Sequence, residues 1–329
     1  MIDKQIIIPG APKSGTTNLF FTICNHENVS TPKEKEPHFF SLRTKTIKNN
    51  IQWYTSLYKK RGIKIDASTS YLYSKRAVKH IKKFVNNPYV IVMLRDPAKR
   101  AFSQYKHMIK QVPRADKRDF SKIIRKLDAG DPRGVIEVEN TYTKKSIMNG
   151  AIDGDYYDSD YLSRYCNAPF KSHFEDPNWQ YKYIQNSMYH VHTRRLVREL
   201  GSKVKIIFFE EFVNDPVSQI KEILSFIDLR NTDIGLSNIK NKTRAPRGPI
   251  TRLLKYVKNN TIIGNQIGHI AKLLRSMGYK NIVEHLRDEV IYYNPSLPRK
   301  EYIRTRALLS FEYKYWFEKN PKLKRLWAY

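Results

Sequence analysis

The sequence has 329 residues, of which 40% are hydrophobic and 12% aromatic, enough for a sizeable core and too many for a disordered chain. Lysine and arginine number 60 against 31 aspartates and glutamates, which gives a formal net charge of +29. This surplus indicates anionic partners, although a lysine-rich composition or nucleic-acid binding would give the same balance. The two cysteines, Cys24 and Cys166, are too few for a disulfide framework or a cysteine-built zinc site. We expect two free thiols, with one bridge between them as the alternative.

No apolar window approaches the ~20 residues of a membrane span, and the apolar run that ends at Ile8 is too short for a signal peptide. These features predict a cytoplasmic protein without a membrane span. A lumenal catalytic domain cut from its anchor would have the same features.

Short apolar runs alternate with amphipathic segments along most of the chain. Strands are predicted at residues 6–8, 64–66, 89–94 and 204–209, and helices at 16–24, 74–85, 97–110, 183–200 and from 216 onward. The inner face of the last of these helices would be formed by apolar residues: Val217, Ile220, Ile223, Leu224 and Ile227. The alternation predicts an α/β fold of three layers, with a central parallel sheet and helices on both faces.

We predict a single domain over residues 1–329. Residues 111–182 mix Asp, Gly, Pro and Tyr with weak periodicity, and we interpret them as an insertion with short helices. A polar, basic loop follows at 231–249, and residues 250–329 are predicted to be mainly helical.

A glycine-containing loop lies between the first predicted strand and helix, with the sequence Gly10-Ala11-Pro12-Lys13-Ser14-Gly15-Thr16-Thr17. Backbone N–H groups at the start of a helix bind anions, and Lys13, Thr16 and Thr17 add a charge and two hydroxyl donors. A Walker A motif ends in Gly-Lys-Ser/Thr, whereas here Lys13 precedes Gly15. The loop therefore predicts a phosphate site unlike that of P-loop kinases, and an ordinary turn is the alternative.

A second anion site is predicted after the most apolar strand, residues 89–94. Arg95 follows this strand, at the edge where open α/β sheets bind ligands, and Ser103 comes about two helical turns later. The two side chains would clamp a phosphate. A salt bridge between Arg95 and Asp96 is the alternative.

With these two segments in this order, the chain resembles the sulfotransferases that use 3′-phosphoadenosine 5′-phosphosulfate (PAPS). Pro12 to Thr17 resembles the family's 5′-phosphosulfate loop, and Arg95-Asp96-Pro97 with Arg100 and Ser103 resembles its 3′-phosphate motif. The motifs are most similar to those of bacterial and heparan-sulfate-type carbohydrate sulfotransferases. The resemblance implies a P-loop-like sulfotransferase fold.

Further similarities extend over most of the chain. Lys35 to Phe40 resembles a segment in which a Glu three residues before paired Phe is the catalytic base, which would be Glu36. Residues 66–71 resemble the family's Glu-Lys/Ala-Ser-Pro-Ser-Tyr segment, and residues 241–248 resemble the basic loop that closes over the nucleotide. The ending at Trp327 is also similar.

The resemblance implies a reaction in which the sulfuryl group of PAPS moves to a hydroxyl or amino group of an acceptor. Glu36 would take the acceptor's proton, and Lys13 would neutralise charge on the oxygen of the leaving adenosine 3′,5′-bisphosphate (PAP). The donor would be bound by eight residues: Lys13, Ser14, Gly15, Thr16, Thr17, Arg95, Ser103 and Arg247. No metal is implied, since lysine and backbone dipoles would do what Mg²⁺ does in kinases.

Departures from the family's patterns concern the acceptor. Ala67 stands where animal heparan-type enzymes have a lysine, Thr69 replaces a proline, and Ser187 stands where many members have glycine. We predict that the acceptor is a glycan, that an acidic glycan would suit the basic chain, and that residues 111–182 lie on the acceptor side. No nucleic-acid partner is predicted, and the oligomeric state cannot be read from the sequence.

Glu36 also lies in a charge run, Lys33 to Glu36, which is typical of a solvated surface. His38 is a rival base, and a structural histidine packed beside Phe39 is the other interpretation. Metal sites are not predicted. His190 and His192 do not share a helix face, and the acidic residues of 153–160 lack the downstream Glu of a calcium loop.

Two rival functions stay open at this point. A P-loop kinase using ATP would need Mg²⁺ and an acidic ligand at a strand end, for which Asp66 is the candidate. A polyanion- or RNA-binding protein would bind in a salt-dependent way without needing Glu36, but the sequence has no recognised RNA-binding motif.

Overall fold

The computed structural model describes residues 1–110, 116–127, 132–149, 151, 161–231, 235, 245–246, 292–293 and 296–328. One sheet contains the strands β1 (Ile2–Ile7), β2 (Val29–Ser30), β3 (Ile63–Asp66), β4 (Val85–Leu94) and β5 (Val204–Phe208). Their order is β2-β3-β1-β4-β5, and every neighbouring pair is parallel. A separate antiparallel pair joins β6 (Ala245–Pro246) to β7 (Tyr292–Tyr293). The parallel sheet confirms the predicted α/β class.

The helices are α1 (Thr16–Cys24), α2 (Thr44–Ser56), α3 (Lys75–Phe84), α4 (Pro97–Met108), α5 (Phe120–Arg125), α6 (Pro132–Met148), α7 (Tyr161–Cys166), α8 (Tyr189–Leu200), α9 (Phe209–Asn214), α10 (Pro216–Phe226), α11 (Arg299–Leu308), α12 (Ser310–Lys319) and α13 (Leu323–Leu326). Two of them begin at the predicted prolines, Pro97 and Pro216, each preceded by an aspartate cap. Asp96 accepts a hydrogen bond from the N–H of Lys99 at α4, and Asp215 accepts one from the N–H of Ser218 at α10.

Helices cover both faces of the sheet. Along β4, Val90, Val92 and Leu94 pack into a cluster with residues of α2, α3, α4 and α8. The intervening Tyr89, Ile91 and Met93 pack into a second cluster with residues of α1 and α10. Because successive side chains of a strand point to opposite faces, a strand buried on both sides is apolar throughout. The two clusters confirm the three-layer architecture.

The helix predicted at 183–200 begins later, at Tyr189. The backbone N–H groups of Ile184 and Gln185 donate to the carboxylate of Glu139 in α6 at 2.9 and 2.6 Å, and a 3-10 turn follows over Gln185–Ser187. Glu139 lies 45 residues before Ile184 in the chain. Local periodicity could not reveal a partner so distant in sequence, and the predicted start was wrong for that reason.

The predicted inner face of α10 needs one correction. Ile220, Ile223, Leu224 and Ile227 are buried, but Val217 is 55% exposed. Periodicity assigns Val217 to the apolar stripe, whereas the burial of the helix starts one turn later, at Ile220.

The described part of the predicted insertion packs on the rest of the molecule. Phe120 of α5 contacts the ring of Phe102 in α4, with the ring centroids 5.1 Å apart. The helix α6 has 17 residues, so the prediction of short helices was wrong for this element. The division of the chain into one domain with an insertion stays a prediction.

The C-terminal helices hold the segments that follow β4 and β5. The carboxylate of Asp96, after β4, accepts hydrogen bonds from the hydroxyls of Tyr302 and Tyr313, both at 2.9 Å. Glu210, after β5, accepts one from the indole N–H of the buried Trp327 at 2.9 Å. The helices α11 to α13 lie in the segment 250–329, whose mainly helical character stays a prediction. These contacts fix the edge of the sheet at which the site lies.

Cys24 and Cys166 are both free, as predicted. Among the described helices, none is long and apolar enough to span a membrane.

Candidate active site

The loop between β1 and α1 is fastened to the end of β4. The N–H of Ala11 donates to the carbonyl of Met93 at 2.8 Å, and the N–H of Met93 donates to the carbonyl of Gly10 at 2.9 Å. At Gly15 the backbone has φ +90°, and a Cβ atom there would lie 2.7 Å from the ring of Phe209. The loop conformation therefore requires glycine at this position.

Replacement of Gly15 by Ala is expected to lower the free energy of unfolding by about 2 kcal/mol or more, since it adds left-handed strain and a steric clash. Urea denaturation would measure the change. Gly134→Ala is the matched control, because no atom lies within 4 Å of its Cβ position. This control should be neutral or stabilising by up to about 1 kcal/mol, as glycine weakens a helix. Equal effects of the two substitutions would contradict the prediction.

The start of α1 offers hydrogen-bond donors to an anion. Gly15 caps the helix without a side-chain hydrogen bond, so no capping side chain uses the N–H groups of the first turn. The hydroxyl of Ser14 is fully buried and has no hydrogen-bond partner in the described part of the chain. A buried donor without a partner is costly unless a ligand uses it. The loop thus fits the predicted anion site.

Positive charges gather around Lys13. Burial, followed by the charges of Lys110 and Arg95, lowers the pKa of Lys13 to about 8, while Glu36 acts in the opposite direction and Lys106 adds to the lowering. The sequence reasoning missed Lys106 and Lys110. Their spacing from Ser103, three and seven residues, is the signal that could have found them, because it places them on one helix face. The cluster favours a ligand with several negative charges.

Arg95 links the two predicted anion-binding segments. Its guanidinium donates to the carbonyl of Lys13 at 3.2 Å, and it lies over the ring of Phe209, 4.9 Å from the centroid. Its Nε is buried without a hydrogen-bond partner among the described residues. Asp96 forms no ion pair with Arg95, because its carboxylate is occupied by Tyr302, Tyr313 and the N–H of Lys99. The structure therefore favours the anion site over the predicted alternative.

Two other residues of the second segment, Ser103 and Arg100, differ in their surroundings. Ser103 lies in α4 and is half-buried. Arg100 is fully buried, and its guanidinium donates to the hydroxyl of Ser187 at 2.8 Å and to the carbonyl of Tyr183 at 2.5 Å. Arg100 is thus a structural anchor for the segment before α8, and Ser187 is its partner.

The carboxylate of Glu36 is bound on both oxygens. Oε1 accepts from the ammonium of Lys35 at 2.5 Å, and Oε2 accepts from the hydroxyl and N–H of Thr69 at 2.7 and 3.2 Å. Burial alone would raise the pKa of Glu36, but Lys35, His38 and Thr69 together lower it to about 2. Glu36 is therefore ionised at any working pH, and it lies close enough to Lys13 for the two charges to interact.

His38 lies behind Glu36. Its Nδ1 is 2.7 Å from the hydroxyl of Ser70, and its Nε2 is 3.6 Å from Oε2 of Glu36. The ring packs edge-on against Tyr161 and Phe174. Burial lowers the pKa of His38 to about 4, so the imidazole is neutral at neutral pH. This position suits a structural histidine, with neighbours other than the predicted Phe39.

Asp66, the candidate metal ligand of the kinase hypothesis, is occupied within the fold. It is fully buried and accepts hydrogen bonds from the hydroxyls of Tyr54, Tyr71 and Ser68 and from the N–H of Ser68, at 2.6 to 3.0 Å. Its lone pairs are thereby used, so it does not present a metal ligand. No group of three or more metal-binding side chains is found among the residues that the structure describes.

Arg247 and most of the predicted nucleotide-closing loop, 241–248, lie outside the described residues, as do the acidic residues of 153–160. His190 pairs with Glu312, and His192 is buried.

The sequence model of the sulfotransferase domain matches residues 3–246 of the chain. The chain belongs to the sulfotransferase family. The match includes the first loop, Glu36, Arg95 and Ser103, and it confirms the resemblance that the motifs indicated.

Several known sulfotransferases are similar to the chain. The membrane-associated sulfotransferase kil1 of Dictyostelium discoideum is 30% identical over 117 residues, which are 33% of this chain and 24% of that protein. The heparan sulfate glucosamine 3-O-sulfotransferase 6 of Homo sapiens is 29% identical over 112 residues, 33% of this chain and 32% of that protein. The chain spans a third or less of the length of these relatives.

Among solved structures, a sulfotransferase from Alicyclobacillus acidocaldarius is 20% identical, with a TM-score of 0.48 over 78% of this chain and 90% of that one.

Proposed function

We propose that this sulfotransferase moves a sulfuryl group from PAPS to a hydroxyl or amino group of a glycan. The observation that carries the proposal is the junction of the two anion-binding segments through Arg95 and the carbonyl of Lys13, at 3.2 Å. PAPS carries a phosphosulfate at its 5′ end and a phosphate at its 3′ end, so it needs two anion sites at a fixed separation.

The residues of the first loop suit the 5′ end of the donor. Lys13, Thr16, Thr17 and the N–H groups at the start of α1 would bind the phosphosulfate, and the buried hydroxyl of Ser14 would gain a partner. Gly15 lets the backbone approach the ligand.

The second segment suits the 3′-phosphate. Arg95 and Ser103 would bind it, and the nearby Lys106 adds positive charge. Arg247 is predicted to bind PAPS as well, and this prediction rests on the sequence resemblance alone.

The proposed reaction is an in-line displacement at sulfur. The acceptor oxygen forms a bond to sulfur while the bond from sulfur to the 5′-phosphate oxygen of PAP breaks, and the acceptor's proton passes to Glu36. Lys13 neutralises the charge that grows on the leaving oxygen. Lysine and helix amides thus hold the charges that Mg²⁺ holds in kinases, and the chemistry of the named residues needs no metal.

A glycan acceptor is supported by the relatives named for heparan sulfate and by the net charge of +29. A cytoplasmic location stays a prediction from the sequence. The kinase alternative gains no support, because the loop lacks the Gly-Lys-Ser/Thr ending and Asp66 is occupied.

Calorimetric titration with PAP in the absence of metal tests the proposal. We expect micromolar binding to the wild type and a loss of at least about 2 kcal/mol of binding free energy in Arg95→Ala, the cost of losing a charged phosphate contact. Arg43→Ala, which removes an exposed arginine immediately before α2, is the control and should bind like the wild type. Binding of ATP that depends on Mg²⁺, with no binding of PAP, would overturn the proposal in favour of a kinase.

A further inference from the structure

The groups around the carboxylate of Glu36 differ in how closely the fold encloses them. Thr69 and His38, on the Oε2 side, are 4% and 1% exposed and are enclosed by the fold. Lys35, on Oε1, carries its ammonium at the end of a flexible four-carbon chain. Lys35 is therefore the donor that can leave Glu36 without any movement of the backbone.

In the free protein this ion pair weakens Glu36 as a base. A general base works best with a pKa near the working pH, and the pKa of Glu36 is about 2. Lys35 is the first of the groups that lower it. Release of the ammonium would raise the basicity of Oε1 and free a lone pair for the acceptor's proton.

The surroundings of Lys35 show what could release it. Besides Glu36, its ammonium has only weak partners within the described residues: the carbonyl of Ala67 at 3.5 Å and the ring of Phe20, whose centroid is 5.8 Å away. The lysine is 17% exposed, and Glu36 is 30% exposed, so a ligand can reach both. An anion bound beside Glu36 would compete with it for the ammonium.

We propose that Lys35 covers the catalytic carboxylate in the free enzyme and is drawn away by an anionic group of the acceptor, which is therefore a glycan with a carboxylate beside the hydroxyl to be sulfated. This inference rests on the proposed function. With Lys35 on the acceptor's carboxylate, Oε1 of Glu36 takes the hydroxyl proton as the oxygen–sulfur bond forms and the bond to PAP breaks. The proton passes from Glu36 to water after the products leave.

The test compares wild type, Lys35→Met and the control Lys33→Met, which removes an exposed lysine from the same charge run. Rates with PAPS are measured on uronate glycans (heparosan, hyaluronan and alginate) and on their carboxyl-reduced forms. We expect the wild type and Lys33→Met to prefer the acidic forms by about tenfold or more, because Glu36 released from Lys35 is the stronger general base. Lys35→Met should be slower on the acidic forms and faster on the reduced ones, because its Glu36 is no longer covered.

The rates of Lys35→Met on acidic and carboxyl-reduced glycans are thus expected to change in opposite directions. A merely structural role of Lys35 would lower both rates. Equal losses on both glycan forms, or a wild type without preference for the acidic form, would overturn the inference. A wild type that binds PAP but sulfates none of the acidic glycans would also overturn it and leave the donor site intact. Failure to bind PAP would instead overturn the proposed function itself.

Discussion

Replacement of Glu36 by Gln is expected to lower kcat by about 10²- to 10⁴-fold, the contribution of a well-placed general base. Glutamine keeps the shape of the side chain and can still accept the hydrogen bonds of Thr69, but it cannot take a proton. Steady-state rates with PAPS, on the acceptor that the wild type uses, would measure the effect. PAP affinity should change little, because the predicted contacts of PAP are with the first loop and the Arg95 segment.

The control for this substitution is Glu34→Gln, which removes an exposed carboxylate two residues earlier and should leave kcat unchanged. If Glu36→Gln retained more than a tenth of the wild-type kcat, Glu36 would not be the base. His38 would then be the next candidate, although burial lowers its pKa to about 4.

Replacement of Lys13 by Met is expected to lower kcat by about 10²- to 10³-fold. Enzymes lose about this much when one hydrogen-bond donor that stabilises negative charge in the transition state is removed. The folded protein should be no less stable than the wild type. Burial and the neighbouring cations Lys110 and Arg95 disfavour the charged lysine in the fold, and its removal relieves that repulsion. Measuring the unfolding temperature together with kcat would therefore distinguish a loss of catalysis from a loss of folding stability.

The pH dependence of the wild type provides a second measurement of the same group. Lys13 carries its charge below a pKa of about 8, so kcat/KM is expected to fall as pH rises above about 8. Between about pH 8 and the ordinary lysine pKa of 10.5, the folding stability of the free protein should rise with pH. In this range Lys13 loses its proton in the folded protein before it does in the unfolded chain, which removes the cost of a buried charge. Lys79→Met, on an exposed face of α3, is the control for both properties. Unchanged kcat in Lys13→Met, or a kcat/KM that stays flat to pH 10, would contradict the assignment.

The sequence predicted four of the five strands of the sheet, missing β2, because the causes of those four are local. Burial on both faces makes β4 apolar from Tyr89 to Leu94, and Asp-Pro pairs mark the starts of α4 and α10. The loop from Gly10 to Thr17 could be recognised because glycine, lysine and threonine occur together between a strand and a helix.

Features that depend on distant partners could not be predicted. Glu139 delays the start of α8 through bonds to residues 45 positions later, and nothing in either segment reveals the pairing. Arg100 looked like part of an anion motif, but its partner Ser187 makes it a buried anchor. Lys35 and Glu36 stand in a charge run that looks like solvated surface, and only the fold shows that the two side chains pair and are mostly buried.

The ring of Phe209 touches both donor segments at once: a Cβ on Gly15 would meet one part of it, and the guanidinium of Arg95 lies over its face. It therefore acts as a spacer between the two predicted anion-binding segments. In evolutionary terms, residues 15 and 209 are not free to vary independently. A lineage that placed a side chain at 15 would need a smaller residue at 209, and that change would in turn alter which bisphosphorylated ligands span the site. In such a lineage, a change in the packing at this edge of the sheet would also change which nucleotide binds.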